Sequence, residues 1–89
     1  MNRKSQIETL LEEVFHPLHL KVTDESHLHA GHAGSRPGGE THFRVFIVSE
    51  LFQNKSRVER HRMVYEALKP AISAGIHALS IEAKAPVEA

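Results

Sequence analysis

Histidine is the residue type whose spacing in this chain is most suited to chemistry. The segment ESHLHAGHAG, residues 25–34, carries three histidines within six positions. Neutral imidazole is a common metal ligand, whereas the sequence contains no cysteine and so offers no thiolate. The segment is therefore either a metal site built from imidazoles or a solvated polar loop, and spacing alone leaves both interpretations open.

Basic residues form a second group with a spacing of interest. The run KSRVERHR places Lys55, Arg57, Arg60 and Arg62 within or just before a predicted helix. A solvated helical face is the simpler interpretation, and a nucleic-acid surface is the alternative. Arg62 lies about 200° from Arg60 around a helix, so one groove would not easily hold both. We therefore predict only weak, salt-sensitive binding to DNA by the free protein.

The composition limits the classes of function. The chain has 89 residues, a length that predicts one domain over residues 1–89. Its acidic and basic residues balance, which argues against a dedicated DNA binder. No carboxylate pair, nucleophile with a base, or phosphate loop is recognisable, which favours a non-enzymatic protein without a small-molecule substrate. No apolar run approaches the roughly 20 residues that span a membrane, and the N-terminus is unlike a signal peptide. We expect a cytoplasmic protein without a membrane partner.

The first half of the chain predicts one helix and two strands. In SQIETLLEEVF the apolar residues recur with helical spacing behind a Ser5/Glu8 pair that predicts a capping box. The expected buried stripe consists of Ile7, Leu10, Leu11 and Val14. After Pro17, LHLKVTDES alternates as a half-buried strand, and THFRVFIVS is rich in the β-branched and aromatic residues of a central strand.

The second half predicts a helix and a final strand. SRVERHRMVYEAL begins with a capping-box pair, Ser56 and Glu59. Its expected inward face consists of Val58, His61, Tyr65 and Leu68, with Val64 beside them. Pro70 ends or restarts the helix, and IHALSIEAKA alternates as a strand. The order αββαβ predicts an α+β fold, with a three-stranded mixed sheet and helices packed on one face.

Four segments together resemble the BolA family. They are VTDESHLHAGH, ETHFRVFIVSELF, KSRVERHRMVYEAL and IHALSIEAKAP, in that order and spacing. The resemblance implies an αββαβ fold similar to the type II KH fold. It also implies a heterodimer with a monothiol glutaredoxin of the CGFS type, with which the protein would share a 2Fe-2S cluster.

The resemblance also assigns roles to individual residues. The glutaredoxin would supply its cysteine and a bound glutathione thiolate, and this chain would supply His77 and one loop histidine, either His29 or His32. The turn before the second helix carries Asn54 where the family usually has glycine, and asparagine tolerates the left-handed backbone that such a turn requires. The implied function is iron–sulfur trafficking or iron sensing. The alternative is a DNA-binding transcriptional regulator of stress response and cell morphology.

The remaining histidines have simpler interpretations. We expect His61 to be structural, with a ring nitrogen hydrogen-bonded to backbone or side chain. His16 and His19 are expected at the surface, and His42, which precedes a strand, is ambiguous.

Overall fold

The computed structural model of the protein describes residues 2–25, 42–76 and 78–89. Its regular elements are α1 (Arg3–Phe15), β1 (His19–Asp24), β2 (His42–Val48), α2 (Arg57–Ala67), α3 (Lys69–Ser73) and β3 (Ala78–Lys84). Short 3₁₀ turns follow β2 at Glu50–Phe52 and β3 at Pro86–Glu88. Within these described ranges, no helix is long and apolar enough to cross a lipid bilayer.

The three strands form one mixed sheet in the order β1-β2-β3. β1 pairs antiparallel with β2 and places Val22 opposite Val45, whereas β2 pairs parallel with β3 and places Val45 opposite Ile81. A parallel pair needs a crossover connection, and α2 and α3 lie between β2 and β3 in the chain. The predicted three-stranded mixed sheet is confirmed.

One face of the sheet carries the hydrophobic core. Phe43, Val45 and Ile47 alternate along β2 and are buried, whereas Arg44 between them is exposed. The core residues that the three helices and the residue between α2 and α3 contribute are Ile7, Leu11, Phe15, Val64, Leu68 and Ala71. The helices therefore cover the face that bears Val45, as predicted for this α+β fold.

α1 begins earlier than the sequence predicts. Asn2 is its N-cap, because the Asn2 Oδ1 atom accepts a hydrogen bond from the backbone N–H of Ser5 at 2.8 Å. The predicted capping box starting at Ser5 is therefore wrong. The buried stripe is also rotated, because Phe15 is buried and Val14 is 47% exposed. The helix packs through Ile7, Leu11 and Phe15, whose spacing of four residues keeps them on one side.

α2 begins where predicted, but only part of its predicted inward face is buried, since Leu68 and Val64 are inside and Val58 is not. Its capping box is confirmed by two hydrogen bonds, from Glu59 N to Ser56 Oγ at 3.1 Å and from Ser56 N to Glu59 Oε1 at 2.8 Å. Val58, predicted to lie inside, is 59% exposed, whereas Val64 is fully buried. Six residues separate them, or about 240° around the helix, so they cannot share the packed face. Tyr65, also predicted inside, is 41% exposed.

The connection between β2 and α2 contains a left-handed residue and a buried hydroxyl. Asn54 has φ +62°, the left-handed conformation that the sequence predicts for this turn. Ser49 is 1% exposed, donates its hydroxyl to the carbonyl oxygen of Phe15 at 2.8 Å and accepts from Leu51 N at 3.2 Å. Ser49, the residue that follows β2, thereby ties the end of this strand to the last residue of α1.

Candidate metal site at one end of the sheet

The three predicted metal ligands, His77, His29 and His32, lie outside the described residues. Their described neighbours in the chain are Glu25 and His42, which flank residues 26–41, and Ile76 and Ala78, which flank residue 77. The placement of these neighbours shows which part of the fold the two ligand-bearing segments are attached to.

The described ends of both segments meet at one end of the sheet. The backbone N–H of Glu25 donates to the carbonyl oxygen of His42 at 2.8 Å, so the end of β1 lies beside the start of β2. His42 is in turn the register partner of Ala78, the first residue of β3. Three chain ends that lead to the candidate ligands therefore stand side by side on adjacent strands.

The turn before β3 is held by an arginine from the other end of the sequence. Arg3 Nη2 donates to the carbonyl oxygen of Ala74 at 3.0 Å. The next residue, Gly75, has φ +132°, a conformation that favours glycine. A Cβ atom at Gly75 would stand 3.3 Å from Arg3 Nη1, so the guanidinium packs directly against the glycine.

A second contact anchors the beginning of β3. Tyr65 on α2 donates its hydroxyl to the carbonyl oxygen of Leu79 at 3.4 Å. Sequence reasoning assigned Tyr65 to the buried face and found no role for Arg3. Their partners lie 14 and 71 residues away, and neither contact leaves a periodic signal in the sequence.

A surface ion pair joins the end of β1 to β2. Arg44 Nε lies 3.1 Å from Glu25 Oε2, and both residues belong to the end of the sheet where Ala78 begins β3. The Arg44 side chain is 61% exposed, so solvent screens this pair and its contribution to stability is small. Its effect is to place charge next to the chain that leads into the histidine segment.

The donor atoms of the chain fit a cluster that is shared with a partner. Iron–sulfur clusters are held by cysteine thiolates, and in some centres two histidines replace two of the cysteines on one iron. The sequence has several histidines and no cysteine, so it can supply the imidazoles but no thiolate. Among the described residues, no group of three or more potential ligands is close enough to hold a metal ion.

The other histidines differ in their surroundings. His16 and His19 are exposed, as predicted, and His42 is half-buried at the start of β2. His61 is half-buried on α2, but the expected hydrogen bond of its ring is not found within the described part of the chain. His61 instead lines a surface cavity along the outer edge of β3.

The predicted basic residues are divided between two surroundings. Lys55, Arg57 and Arg60 line the same cavity as His61, whereas Arg62 is not among its lining residues. Arg60 is also engaged internally, because it donates to the backbone oxygens of Lys55 at 3.0 Å and Ala83 at 3.1 Å. The structure thus groups Lys55 with Arg57 and gives Arg60 a structural contact with β3.

Comparison with known families gives one match over most of the chain. The model of the BolA-like protein family matches residues 11–88. Two curated relatives cover nearly the whole chain: SufE-like protein 1, chloroplastic/mitochondrial, of Arabidopsis thaliana at 47% identity, and the uncharacterized protein in cobS 5'region of Sinorhizobium sp at 49% identity. The chain covers 24% of the length of the first relative and 96% of the second.

Solved structures agree with this match. The BolA domain of SufE1 from Arabidopsis thaliana superposes with a TM-score of 0.89 at 46% identity, and the alignment covers 100% of this chain and 98% of that domain. BolA1 from the same plant gives a TM-score of 0.87 at 39% identity, with the same coverage. Because the names of two plant relatives place them in chloroplasts or mitochondria, the cytoplasmic location expected from the sequence stays a prediction.

Proposed function

Because this chain belongs to the BolA-like protein family, we propose that it is a non-enzymatic adaptor which binds a monothiol glutaredoxin and co-ligates a 2Fe-2S cluster. The proposed task is iron–sulfur trafficking or iron sensing in the cytoplasm. The observation that supports it is the meeting of Glu25, His42 and Ala78 at one end of the sheet. These residues adjoin the two segments that carry the candidate ligands.

In this proposal His77 and one loop histidine, His29 or the alternative His32, supply two imidazole ligands. The glutaredoxin cysteine and the glutathione thiolate supply the rest, which agrees with the lack of cysteine in this chain. When bound, a cluster with two histidine ligands provides an electron-accepting centre with a higher potential than one held by four thiolates. Only neutral imidazole can bind the iron, because a protonated ring has no free lone pair. Mild acid should therefore weaken the cluster-bridged complex with the glutaredoxin.

The described residues around this end of the sheet have a positioning role. Arg3 holds the Ala74–Gly75 turn, and Tyr65 holds Leu79, so both sides of residue 77 are tied to helices of the core. Pre-arranged ligand segments bind a metal with a smaller loss of conformational entropy than free ones do. The fold therefore favours binding of the cluster through His77 without contributing a thiolate.

The alternative function is a DNA-binding regulator of stress response and cell morphology. Lys55 and Arg57 support it, because they stand together on one surface. Arg60 does not add to that surface, since its guanidinium also pairs with Glu88 Oε1 at 2.6 Å. We rank this function second.

A reconstitution experiment tests the proposed function. The purified protein is mixed with a glutaredoxin that carries a glutathione-ligated cluster, and visible absorption and circular dichroism are recorded. The expected result is a new spectrum at one-to-one stoichiometry, which His77→Ala abolishes and His16→Ala, at an exposed histidine, preserves. An unchanged spectrum with wild-type protein, or equal spectra for both variants, would contradict the proposal.

A further inference from the structure

A basic cavity runs along the outer edge of β3, where Ser80, Ile81, Glu82, Ala83 and Lys84 line it. Its volume is about 630 Å³, within the range of roughly 300–1,000 Å³ that is typical of small-ligand sites. Its cationic lining residues are Arg44, Lys55, Arg57, Arg60 and Lys84. Its carboxylates are Glu82 and Glu88. The cavity therefore has an excess of positive charge in a chain whose total charge is balanced.

Ion pairs already neutralise part of this charge. Lys84 Nζ lies 3.4 Å from Glu82 Oε2, and Arg60 Nη1 lies 2.6 Å from Glu88 Oε1. Arg44 is paired with Glu25. Among residues 2–25, 42–76 and 78–89, no carboxylate lies within ion-pair distance of Lys55 or Arg57. Lys55 interacts electrostatically with the Glu59 carboxylate without forming an ion pair, and both cations can contact an anion that enters the cavity.

Glu88 shows how the cavity holds an anion of the chain itself. Its Oε1 atom accepts from Arg60 Nη1 at 2.6 Å and from the backbone N–H of Ala85 at 2.7 Å. These two donors lower the pKa of the Glu88 carboxyl, with the hydrogen bond from Arg60 as the larger cause. An arginine and a backbone N–H are also the donors that commonly bind phosphate oxygens. Glu88 therefore occupies one position that an external anion would otherwise use.

We propose that this cavity binds a small ligand bearing a phosphate or diphosphate group. Lys55 and Arg57 contact this group, and the negative charge of Glu88 weakens its binding. A phosphate group with two negative charges matches two unpaired cations better than a single carboxylate does. His61 and Ser80 line the same cavity and can hydrogen-bond the remaining polar atoms of the ligand. The concave shape and the position of Arg62 outside the cavity favour a small molecule over a nucleic-acid strand.

The site is independent of the proposed cluster ligands. It uses Lys55, Arg57 and the later residues of β3, whereas the cluster proposal uses residue 77 and the segment between β1 and β2. Failure of one proposal therefore leaves the other unaffected.

Titration of the full chain with inorganic pyrophosphate at constant ionic strength tests the site. Two-dimensional amide NMR spectra monitor the titration. We expect saturable shifts at the amides of Arg57, His61 and Ser80. The double variant Lys55→Ala/Arg57→Ala should weaken binding by about tenfold or more, because two charge-assisted hydrogen bonds are lost. Both residues are exposed, so the variant should fold. The control Arg62→Ala, at an exposed arginine on the same helix, should change the affinity by less than about twofold.

Glu88→Gln gives a prediction of opposite sign. The glutamine oxygen can accept the same hydrogen bonds from Arg60 and Ala85 without the negative charge, so pyrophosphate should bind a few times more tightly. Shifts that do not saturate, equal losses in the double variant and in Arg62→Ala, or weaker binding to Glu88→Gln would each overturn the proposal. Tighter binding of a single-stranded oligonucleotide than of pyrophosphate at the same amides would overturn the small-ligand assignment.

Discussion

Arg3 and Ala74 are hydrogen-bonded across a sequence separation of 71 residues, with Arg3 Nη2 3.0 Å from the Ala74 carbonyl oxygen. The contact joins the first turn of α1 to the turn that leads into β3. Residue 77, the proposed ligand, follows this turn by three positions. The N-terminal helix therefore contributes to the candidate metal site without supplying a ligand.

Replacement of this arginine should disturb both stability and cluster sharing. We expect Arg3→Ala to lower the free energy of unfolding by about 1 kcal/mol, since a hydrogen bond from a charged donor is lost at a partly exposed site. The same variant should weaken formation of the heterodimeric cluster, because the turn before β3 loses an anchor. Thermal unfolding and the cluster spectrum measure the two effects. Lys4→Ala, at an exposed position of the same helix, is the control and should change neither.

Any side chain at Gly75 should destabilise the fold. Its φ of +132° is strained for any other residue, and a Cβ atom would stand 3.3 Å from Arg3 Nη1. We expect Gly75→Ala to destabilise the protein by about 1–3 kcal/mol. Chemical unfolding measures this, with Ser73→Ala as a control at an exposed helical residue nearby. Equal unfolding midpoints for wild type and Gly75→Ala would show that the turn relaxes without cost.

The sheet was predictable from the sequence because its signals are local. The β-branched and aromatic residues of THFRVFIVS predicted a central strand, and Ser56 with Glu59 located the start of α2. The inward face of α2 was predictable only in part, because Val58, Val64 and Tyr65 are apolar or aromatic on different sides of the helix. Val64 is the residue that joins the core cluster, which also contains Ala71 and residues of the sheet.

The candidate site was predictable only in part. Histidine composition and family resemblance identified the ligand types, whereas the support from Arg3 and Tyr65 depends on contacts that only the folded chain creates. Glu88 was missed for the same reason, since its partner Arg60 lies 28 residues away.

Acid should remove the contribution of the α2 capping box. The backbone N–H of Ser56 is the main cause that lowers the pKa of Glu59 below its ordinary value of 4.5. In the unfolded chain the carboxyl regains that value and binds a proton at a higher pH than in the folded protein. The stabilising contribution of this carboxyl is therefore fully present above its unfolded value of 4.5 and is lost as the pH drops through the lowered pKa of the folded protein. In unfolding measurements between about pH 3 and 7, Glu59→Gln should flatten this dependence. Retention of the full wild-type slope would contradict this account.

DNA binding should be weak and should not depend on Arg60. We expect dissociation constants near the non-specific range of roughly 10⁻⁴ to 10⁻⁶ M at physiological salt. Arg57→Ala should lower the salt slope by about one unit if Arg57 contacts a phosphate. Arg60→Ala should instead lower stability by about 2 kcal/mol, because its hydrogen bonds to Lys55, Ala83 and Glu88 are lost. Tight, sequence-selective binding that Arg57→Ala removes and His77→Ala retains would make regulation of transcription the primary function.

The ligand role of His77 can be separated from a structural role by substitution with another ligand. Cysteine can bind iron as a thiolate, so His77→Cys should retain a cluster in the complex with glutaredoxin, whereas His77→Ala should lose it. Replacing an imidazole by a thiolate adds negative charge to the cluster, so the reduction potential of the His77→Cys complex should fall below that of wild type. The exposed His16→Cys variant introduces the same thiol away from the site and should leave the potential unchanged.

The loop ligand is tested in the same way. The family resemblance places the loop ligand at His29, by its distance from Asp24, Glu25 and Ser26, with His32 as the alternative. If His29 is the ligand, His29→Cys should lower the potential and His32→Cys should not. The reverse result would transfer the assignment to His32 and leave His77 untouched. A third outcome is that no cysteine variant shifts the potential while His77→Ala still destroys the cluster. His77 would then act through the structure of the heterodimer, and the proposal that this chain ligates iron directly would be wrong.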